Sequence, residues 1–280
     1  MTPPLKPLLG IAPVAPETSS ASGASFHVLK SGIDGSLHIE YTTTRVVSAA
    51  LDCLRRTTGV VRPDRSELSE AFKRLRSQLL QRLQADGHSL LAVTSPRAMP
   101  GKSLTALNLA LAVAAEHDRT VLLVDADLSG QGLQALLGLG GEPGLGEHLS
   151  QGRPLDELLV NPGVPRLVFL PGGHVAGHGS AELLATRAMH VLAQELKRRY
   201  ADRIVIIDVP PMLDNADALS LLPLADTTLL VVEEHHTSIA DLEAASSLLA
   251  PFNLVGSVLA RKQPQTPEKR RRWWQRAQQV

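Results

Sequence analysis

From residue 89 onward, the chain alternates short apolar runs with longer segments of helical periodicity. Two runs, Ile204–Ile207 and Leu229–Val232, are apolar at every position, which is typical of parallel strands that helices cover on both faces. This alternation predicts an α/β fold: a doubly wound, mostly parallel sheet of about six to eight strands flanked by helices. We predict strands at 89–94, 120–125, 166–170, 203–208, 227–233 and 253–259.

The helical segments follow from apolar residues that recur at a period near 3.6. Within 66–84, for example, Leu68, Phe72, Leu75 and Leu79 would share one face of a helix. The region before it, 26–60, has no clear period, and 45–56 is a candidate helix there. The other predicted helices lie at 103–117, 181–199, 214–222 and 237–250.

Composition narrows the class of protein. The chain has 280 residues, of which 44% are hydrophobic, so it can bury a sizeable core. Its formal net charge is zero, so no overall field draws it to nucleic acid, and we expect no nucleic-acid partner. The single cysteine, Cys53, fits a reducing compartment, and the sequence shows neither a signal peptide nor a long apolar span. We therefore expect a cytoplasmic protein.

A Gly-Lys-Ser tripeptide, Gly101 to Ser103, lies between the first strand of this series and the helix after it. This layout is typical of a phosphate-binding loop, because glycine lets the backbone approach a phosphate and the helix N-terminus favours anions. Lys102 would reach the outer phosphates, the Ser103 hydroxyl would bind Mg²⁺, and the binding positions would extend to Leu104. Pro96 stands where the full motif has glycine, so the tripeptide alone also fits a chance occurrence.

Carboxylates follow two of the predicted strands. Asp125 and Asp127 come after Val121–Val124, and Asp208 comes after Ile204–Ile207. The carboxyl ends of parallel strands meet at one edge of the sheet, and Mg²⁺ prefers oxygen ligands. A single aspartate in such a place is as often a helix cap, but three beside one Gly-Lys-Ser loop favour a magnesium site.

Taken together, these motifs resemble those of a known family. The sequences concerned are Thr94-Ser95 with Gly101-Lys102-Ser103, Val121 to Leu128, and Val205 to Pro211, with further similarity at Gly144–Leu149, Ala181–Leu184 and Ala216–Leu219. They resemble the bacterial tyrosine kinases of capsule and exopolysaccharide synthesis, the CpsD/CapB type, which are relatives of the MinD/ParA P-loop ATPases. The resemblance covers about residues 66 to 262.

The resemblance implies roles for individual residues. Lys102 and Ser103 would hold ATP and Mg²⁺, Asp125 and Asp208 would join Ser103 around the metal, and Asp127 would be the candidate base for a phosphate acceptor. The implied reaction is phosphoryl transfer from ATP to protein tyrosine. The implied partner is a membrane chain-length regulator of the Wzz-like kind, which would place the protein at the inner face of the cytoplasmic membrane.

The family also has an oligomerisation helix with a Glu-x-x-Arg-x-x-Arg pattern. Here Glu70, Lys73 and Arg76 have this spacing, and three-residue steps bring them along one face of the predicted helix. The resemblance therefore implies a homo-oligomer. A solvated charged face is the alternative interpretation of the same three residues.

The phosphate loop departs from the family pattern. Ala98 and Met99 replace proline and glycine, and Pro100 has no N–H to give to a phosphate. The lost hydrogen bond would cost about 1.5 to 3 kcal/mol of binding free energy. Arg97 stands where MinD/ParA relatives carry a phosphate-contacting lysine and would compensate in part, unless it is only a loop cation facing solvent. Two further departures are Ser129, in place of an arginine, and Ala260, in place of an asparagine.

The C-terminal tail departs furthest, because it has no tyrosine where family kinases have a cluster. It carries four consecutive cations, Lys269–Arg272, followed by Trp273 and Trp274. Such a segment suits an anionic membrane surface, and a basic tail without a partner is the alternative. Tyr41 is the plausible acceptor within the chain, because Tyr200 precedes a buried strand.

The sequence is thus divided into four parts. We expect a disordered Pro/Ser/Ala-rich segment at 1–25, an extension of unknown role at 26–65, a P-loop domain with an N-terminal oligomerisation helix at 66–262, and a basic tail at 263–280. The expected activity is that of an ATP-dependent tyrosine kinase. The alternative is a nucleotide-gated assembly protein, a pseudokinase or a MinD/ParA-like ATPase with little or no kinase activity.

Overall fold

The computed structural model describes residues 26–30, 37–41, 44–47, 50, 52–54, 67–128, 132–175, 179–198 and 203–261. The segment predicted to be disordered, 1–25, and the basic tail, 263–280, lie outside these residues, as does Ser129.

An eight-stranded sheet forms the centre of the fold. Its strands are β3 (Arg45–Val46), β4 (Leu90–Thr94), β5 (Thr120–Asp125), β6 (Val160–Asn161), β7 (Leu167–Leu170), β8 (Arg203–Asp208), β9 (Thr227–Glu233) and β10 (Leu254–Ala260). They lie in the order β10-β9-β4-β8-β5-β7-β6-β3, and all neighbours are parallel except β6 and β7. The prediction of a doubly wound, mostly parallel sheet is confirmed.

Helices cover both faces of this sheet. They are α1 (Glu67–Asp86), α2 (Gly101–Ala114), α3 (Leu133–Leu136), α4 (Leu145–Gln151), α5 (Leu155–Leu158), α6 (Ser180–Leu184), α7 (Arg187–Arg198), α8 (Asp217–Leu221) and α9 (Ile239–Leu249), with a 3₁₀ turn at Leu222–Leu224. Leu83 of α1 and Leu107 of α2 belong to the core on one face, and Leu192 of α7 belongs to the core on the other. The central strands are therefore buried on both sides, as their continuous apolar runs indicate.

The bounds of most predicted elements agree with the structure to within one to three residues, but two predictions differ in kind, and β6, α3, α4 and α5 were not predicted. The predicted helix at 181–199 is divided into α6 and α7, because α6 ends at Leu184 and the Thr186 hydroxyl accepts a hydrogen bond from Met189 N at the start of α7. The candidate helix at 45–56 is wrong at its start. Arg45 and Val46 form a strand that pairs with Val160 and Asn161, so sheet pairing decides the local conformation.

The extension at 26–65 contains a two-stranded antiparallel sheet of β1 (Phe26–Lys30) and β2 (Leu37–Tyr41). Tyr41, the candidate acceptor, pairs with Phe26 in its backbone register. Within the described part of the chain, no helix combines the length and the apolar character that crossing a membrane requires.

Strand β10 lies at one edge of the main sheet and is only partly buried. Its pairing with β9 shifts register between Leu254 and Gly256. At this irregularity the Arg82 guanidinium of α1 donates a hydrogen bond to the Val255 carbonyl. Helix α1 thus holds the edge strand as well as covering α2.

Candidate functional site

The predicted site residues lie at the carboxyl ends of three adjacent strands, β4, β8 and β5. Strand β4 leads into the loop 95–100 and then into α2, which begins at Gly101. Asp125 and Asp208 end their strands directly opposite each other in the register of β5 and β8. In open α/β sheets this edge is where ligands bind.

Lys102 occupies the centre of this edge. Its side chain is almost fully buried, and Nζ lies 2.8 Å from Asp208 Oδ1 and 3.3 Å from Asp127 Oδ2. Burial lowers the pKa of Lys102, but the charges of Asp208 and Asp127 outweigh it, so the pKa is raised. Lys102 is therefore a cation held between two strand ends.

The two carboxylate oxygens of Asp208 have different hydrogen-bond surroundings. Oδ1 accepts the bond from Lys102, whereas the buried Oδ2 has no hydrogen-bond partner among the described residues. Burial raises the pKa of Asp208, while Lys102 and the Ser103 hydroxyl oppose that rise. Three carboxylates share one lysine here, so a divalent cation at Asp208 and Ser103 would offset the remaining negative charge.

Asp125 has a different environment from Asp208. Its Oδ1 accepts a hydrogen bond from Asp127 N at 3.2 Å, and its Oδ2 accepts one from Gln134 N at 3.0 Å. Burial, followed by the charge of Asp208, raises the pKa of Asp125 to about 7. Asp125 thus fixes the backbone after β5, and its predicted part in metal binding stays a prediction.

No three His, Cys, Asp or Glu side chains within the described ranges are grouped to hold a metal ion by themselves. Magnesium bound at Ser103 and Asp208 would accordingly take its remaining ligands from phosphate oxygens and water, which is its usual manner of binding beside nucleotides.

The phosphate loop is tightly closed. The Ser95 hydroxyl donates to Arg97 O at 2.8 Å, and Pro100 occupies the N-cap position of α2 in the helical region. Met99 is buried, and its Cε would lie 2.8 Å from a Cβ added at Gly101, so a larger residue there would displace Met99. A side chain at position 101 would thus require only a shift of the flexible Met99 end, and the reason for glycine here is close approach to a phosphate.

Arg97 makes two ion pairs within the chain. Its Nη1 lies 2.7 Å from Asp214 Oδ1, and its Nε lies 2.9 Å from Asp241 Oδ1. The hydrogen bond that Arg97 donates to Asp214 is the main cause of a raised pKa at Arg97. A phosphate contact by Arg97 stays a prediction, and it would require the guanidinium to leave at least one of these carboxylates.

The three residues proposed for oligomerisation divide into two groups. Glu70 and Lys73 are exposed on α1 and pair with each other at 2.8 Å. Arg76 is only 19% exposed, donates to Ala112 O at 3.0 Å and pairs with Glu116 at 2.9 Å. Arg76 therefore ties α1 to the end of α2, which leaves Glu70 and Lys73 as the better candidates for contact with another copy.

Sequence reasoning missed a group of residues around the segment Pro171–His174, which follows β7. The buried Gln134 side chain accepts a hydrogen bond from Gly173 N, and the buried Glu147 carboxylate accepts from Gly144 N and His174 N. The Gly-Leu-Gly-Glu sequence at 144–147 was the available signal, because two glycines beside a buried glutamate indicate close backbone packing.

No family model matches the chain. The EpsB protein of Ralstonia solanacearum is 31% identical over 185 residues, which cover 66% of this chain and 24% of EpsB, so the chain spans about a quarter of that relative. The tyrosine-protein kinase YwqD of Bacillus subtilis (strain 168) is 32% identical over 169 residues, which cover 60% of this chain and 70% of YwqD.

The solved structures agree. The kinase domain of the Escherichia coli tyrosine kinase ETK superimposes with a TM-score of 0.67 at 26% identity, over 74% of this chain and 81% of that domain. The chain thus aligns with most of the length of YwqD and shares its fold with a named tyrosine kinase domain. The chain belongs to the bacterial tyrosine kinase family.

Proposed function

We propose that this protein is an ATP-dependent tyrosine kinase that regulates exopolysaccharide or capsule polymerisation and export. The observation that carries the proposal is the position of Lys102, which lies in the first turn of α2 and between Asp208 and Asp127. A lysine at a helix N-terminus, beside carboxylates that can organise a metal, is the arrangement that phosphoryl transfer uses.

Nucleotide binding would use the start of α2. The backbone N–H groups of Gly101 to Leu104 lie in its first turn, where the helix dipole favours the phosphates of ATP. Lys102 would exchange one carboxylate for the outer phosphates. The buried setting strengthens this interaction, because water screens it little.

Mg²⁺ would be held by Ser103 and Asp208, with Asp125 close by. When bound, the ion neutralises charge that develops on the transferred phosphate. Asp208 suits this role because one buried oxygen has no hydrogen-bond partner within the described residues, whereas both Asp125 oxygens accept backbone bonds. In this assignment Asp208 is the main carboxylate ligand and Asp125 keeps the loop after β5 in place.

Asp127 is the candidate base for the acceptor hydroxyl. Its side chain is more exposed than that of Asp125, and Lys102 pairs with one of its oxygens. A base must be reachable by the acceptor and must be held in a fixed direction. Asp127 suits both conditions better than Asp125, since its side chain is 13% exposed and pairs with Lys102.

The partner we propose is a membrane chain-length regulator of the Wzz-like kind, together with further copies of this chain. Family membership supports both, and it also supports a cytoplasmic protein held at the inner face of the membrane. The basic tail would add affinity for anionic lipid if it reaches the surface.

The direct test is incubation of purified protein with Mg²⁺ and γ-labelled ATP, followed by phosphoamino-acid analysis. Label on tyrosine, in this chain or in a partner's tail, that disappears in Lys102→Met would support the kinase. Nucleotide binding without label on protein would contradict it and leave an ATPase or a scaffold.

A second function deserves a test because of the phosphate loop. Pro100 offers no N–H and Met99 fills the space in front of Gly101, so the loop has fewer donors for a phosphate than the family pattern. These features favour a nucleotide-gated assembly protein. Light scattering with and without ATP would discriminate: the kinase resemblance predicts larger rings, and a MinD/ParA-like ATPase predicts dimers.

A further inference from the structure

The segment Pro171–His174 is held against the candidate active site from two sides. A Cβ added at Gly172 would lie 3.4 Å from the Asp125 carbonyl oxygen and 3.6 Å from Asp125 Cγ. Gly172 therefore packs directly on Asp125. His174 lies two residues further on, and two residues of extended chain span at most about 7 Å, so its backbone stays close to the site.

Gln134 tethers this segment on one side. Its backbone N–H binds Asp125, and its side-chain oxygen accepts a hydrogen bond from Gly173 N at 3.3 Å. Its side-chain nitrogen donates to the carbonyls of Leu139 and Glu142. One buried side chain thus joins the segment to the loop that follows Asp125.

Glu147 tethers the segment on the other side. Its Oε1 accepts a hydrogen bond from His174 N at 3.1 Å and its Oε2 accepts one from Gly144 N at 2.7 Å. The backbone of α4 adds two more bonds, from Leu145 N to Pro171 O and from Gly146 N to Gly172 O. The glycines at 144 and 146 are needed because a Cβ at either would overlap a carbonyl of this segment.

The side chain of His174 is exposed to solvent, whereas its backbone is held by hydrogen bonds. It is 64% exposed, and its Nδ1 lies 3.5 Å from Glu147 Oε1. The Glu147 carboxylate lies beside Nδ1, while most of the side chain is open to solvent. An exposed imidazole on a rigid backbone, oriented by a buried carboxylate, is suited to bind something that arrives from solvent.

The position of Pro171–His174 indicates which ligand would bind there. The segment Pro171–His174 follows β7, the neighbour of β5, and Gly172 packs on Asp125 at the end of β5. Asp127, the candidate base, comes two residues after Asp125. The acceptor hydroxyl must reach its base, so an acceptor peptide at Asp127 would lie beside Pro171–His174.

Resting on the proposed function, we infer that Pro171–His174 is the binding ledge for the acceptor tyrosine peptide, with His174 as a contact residue and Glu147 as the residue that positions it. The exposed His174 imidazole would hydrogen-bond the acceptor backbone. Gln134 and Glu147 would keep the ledge at a constant distance from Asp125 and Asp127.

The experiment measures both phosphorylation and equilibrium binding of a tyrosine-containing peptide by the full chain. His174→Ala should raise the peptide KM and the peptide Kd about three- to tenfold, the value of one lost hydrogen bond. The Kd for ATP and the thermal stability should not change. His190→Ala, at an exposed histidine on α7, is the matched control and should alter neither constant.

Glu147→Gln tests the positioning role. The amide cannot accept from both Gly144 N and His174 N, so we expect a higher peptide KM together with a lower melting temperature. In the double variant with His174→Ala the two effects on KM should not add, because Glu147 acts through His174. Additive effects, or an unchanged KM in Glu147→Gln, would overturn the positioning role.

Two outcomes would overturn the ledge itself. One is a peptide KM and Kd in His174→Ala equal to those of wild type, and the other is an equal loss of ATP affinity, which would assign the segment to the nucleotide. Wild-type protein that binds no peptide also overturns it. Wild-type protein that binds peptide in a His174-dependent way but transfers no phosphate removes the proposed kinase function and leaves the ledge in place.

Discussion

Lys102 Nζ lies 2.8 Å from Asp208 Oδ1, and both side chains are buried although 106 positions separate them in the chain. This ion pair joins the first turn of α2 to the end of β8. Since an unpaired charge in such a place is costly, the pair contributes to stability as well as to the proposed chemistry.

Replacing Lys102 with methionine should therefore affect two measurable quantities. We expect phosphotyrosine formation to be lost, and the free energy of unfolding to fall by about 3 kcal/mol because Asp208 is left without its cation. Urea denaturation and phosphoamino-acid analysis measure the two effects. Arg74→Met, at an exposed cation of α1, is the control and should leave both nearly unchanged.

The raised pKa of Asp125 predicts a pH dependence of stability. Burial and the charge of Asp208 raise this pKa to about 7 in the folded protein, well above its value in the unfolded chain. The folded state then binds more protons than the unfolded state between about pH 4 and 7, so stability falls as pH rises through this range.

Comparison of wild type with Asp125→Asn isolates this contribution. The variant loses one acceptor for a backbone bond at every pH, which adds a constant offset, but it cannot titrate. We expect its stability relative to wild type to improve between about pH 4 and 8. Thermal denaturation across this range measures it, and parallel curves would show that Asp125 titrates normally.

Pro100 offers a test of the atypical phosphate loop. Pro100→Ala restores a backbone N–H at the N-cap of α2, so we expect ATP to bind about tenfold more tightly, the value of a hydrogen bond to a charged group. The free energy of unfolding should drop by less than about 1 kcal/mol, because the unfolded chain gains freedom.

Isothermal calorimetry would measure the change in ATP affinity. Pro154→Ala, at the N-cap of α5, is the matched control and should leave ATP affinity unchanged. Equal ATP affinity in Pro100→Ala and wild type would mean that position 100 does not face the phosphates.

Arg76 is bound within the chain, whereas Glu70 and Lys73 are exposed on α1. We therefore expect Arg76 to affect stability and the other two to affect assembly. Arg76→Ala removes bonds to Ala112 and Glu116, so it should lower the free energy of unfolding by about 1 to 3 kcal/mol. The pair Glu70→Ala with Lys73→Ala should reduce the mass of the oligomer in light scattering and leave the melting temperature nearly constant. A stable Arg76→Ala protein that fails to assemble would restore Arg76 as an interface residue.

Packing at Gly144 gives a steric prediction. A Cβ there would overlap the Pro171 carbonyl, so Gly144→Ala should lower the free energy of unfolding by about 1 to 3 kcal/mol. Gly140→Ala is the control, because no atom lies within 4 Å of its added Cβ. Urea denaturation of the two variants in parallel would measure the difference. Equal midpoints would contradict the close contact between Gly144 and the Pro171 carbonyl.

The main strands could be predicted from sequence because their burial leaves an unmistakable signal. Ile204–Ile207 is apolar throughout only because helices cover both faces of β8. The site residues that follow strands could be predicted for the same reason, since Asp125 and Asp208 end two such runs. The break at Thr186 had a weaker local signal, a residue that caps helices.

Other features depend on contacts that no local pattern records. Arg45 and Val46 become a strand through pairing with Val160 and Asn161, which are more than a hundred residues away. Gln134 resembles any polar residue in a short helix until the fold brings Gly173 to its side chain. Arg76 fits a charged surface face, and only the approach of α2 shows that it is engaged within the chain.

The edge of the sheet has a consequence for solubility. An exposed edge strand invites strand-by-strand pairing with other molecules, and crowding of many copies would increase that risk. The register shift between Leu254 and Gly256, with Arg82 bound to the Val255 carbonyl, interrupts the ladder that an incoming strand would need. A strand from a neighbouring molecule would therefore find a broken ladder at the start of β10, which disfavours pairing there.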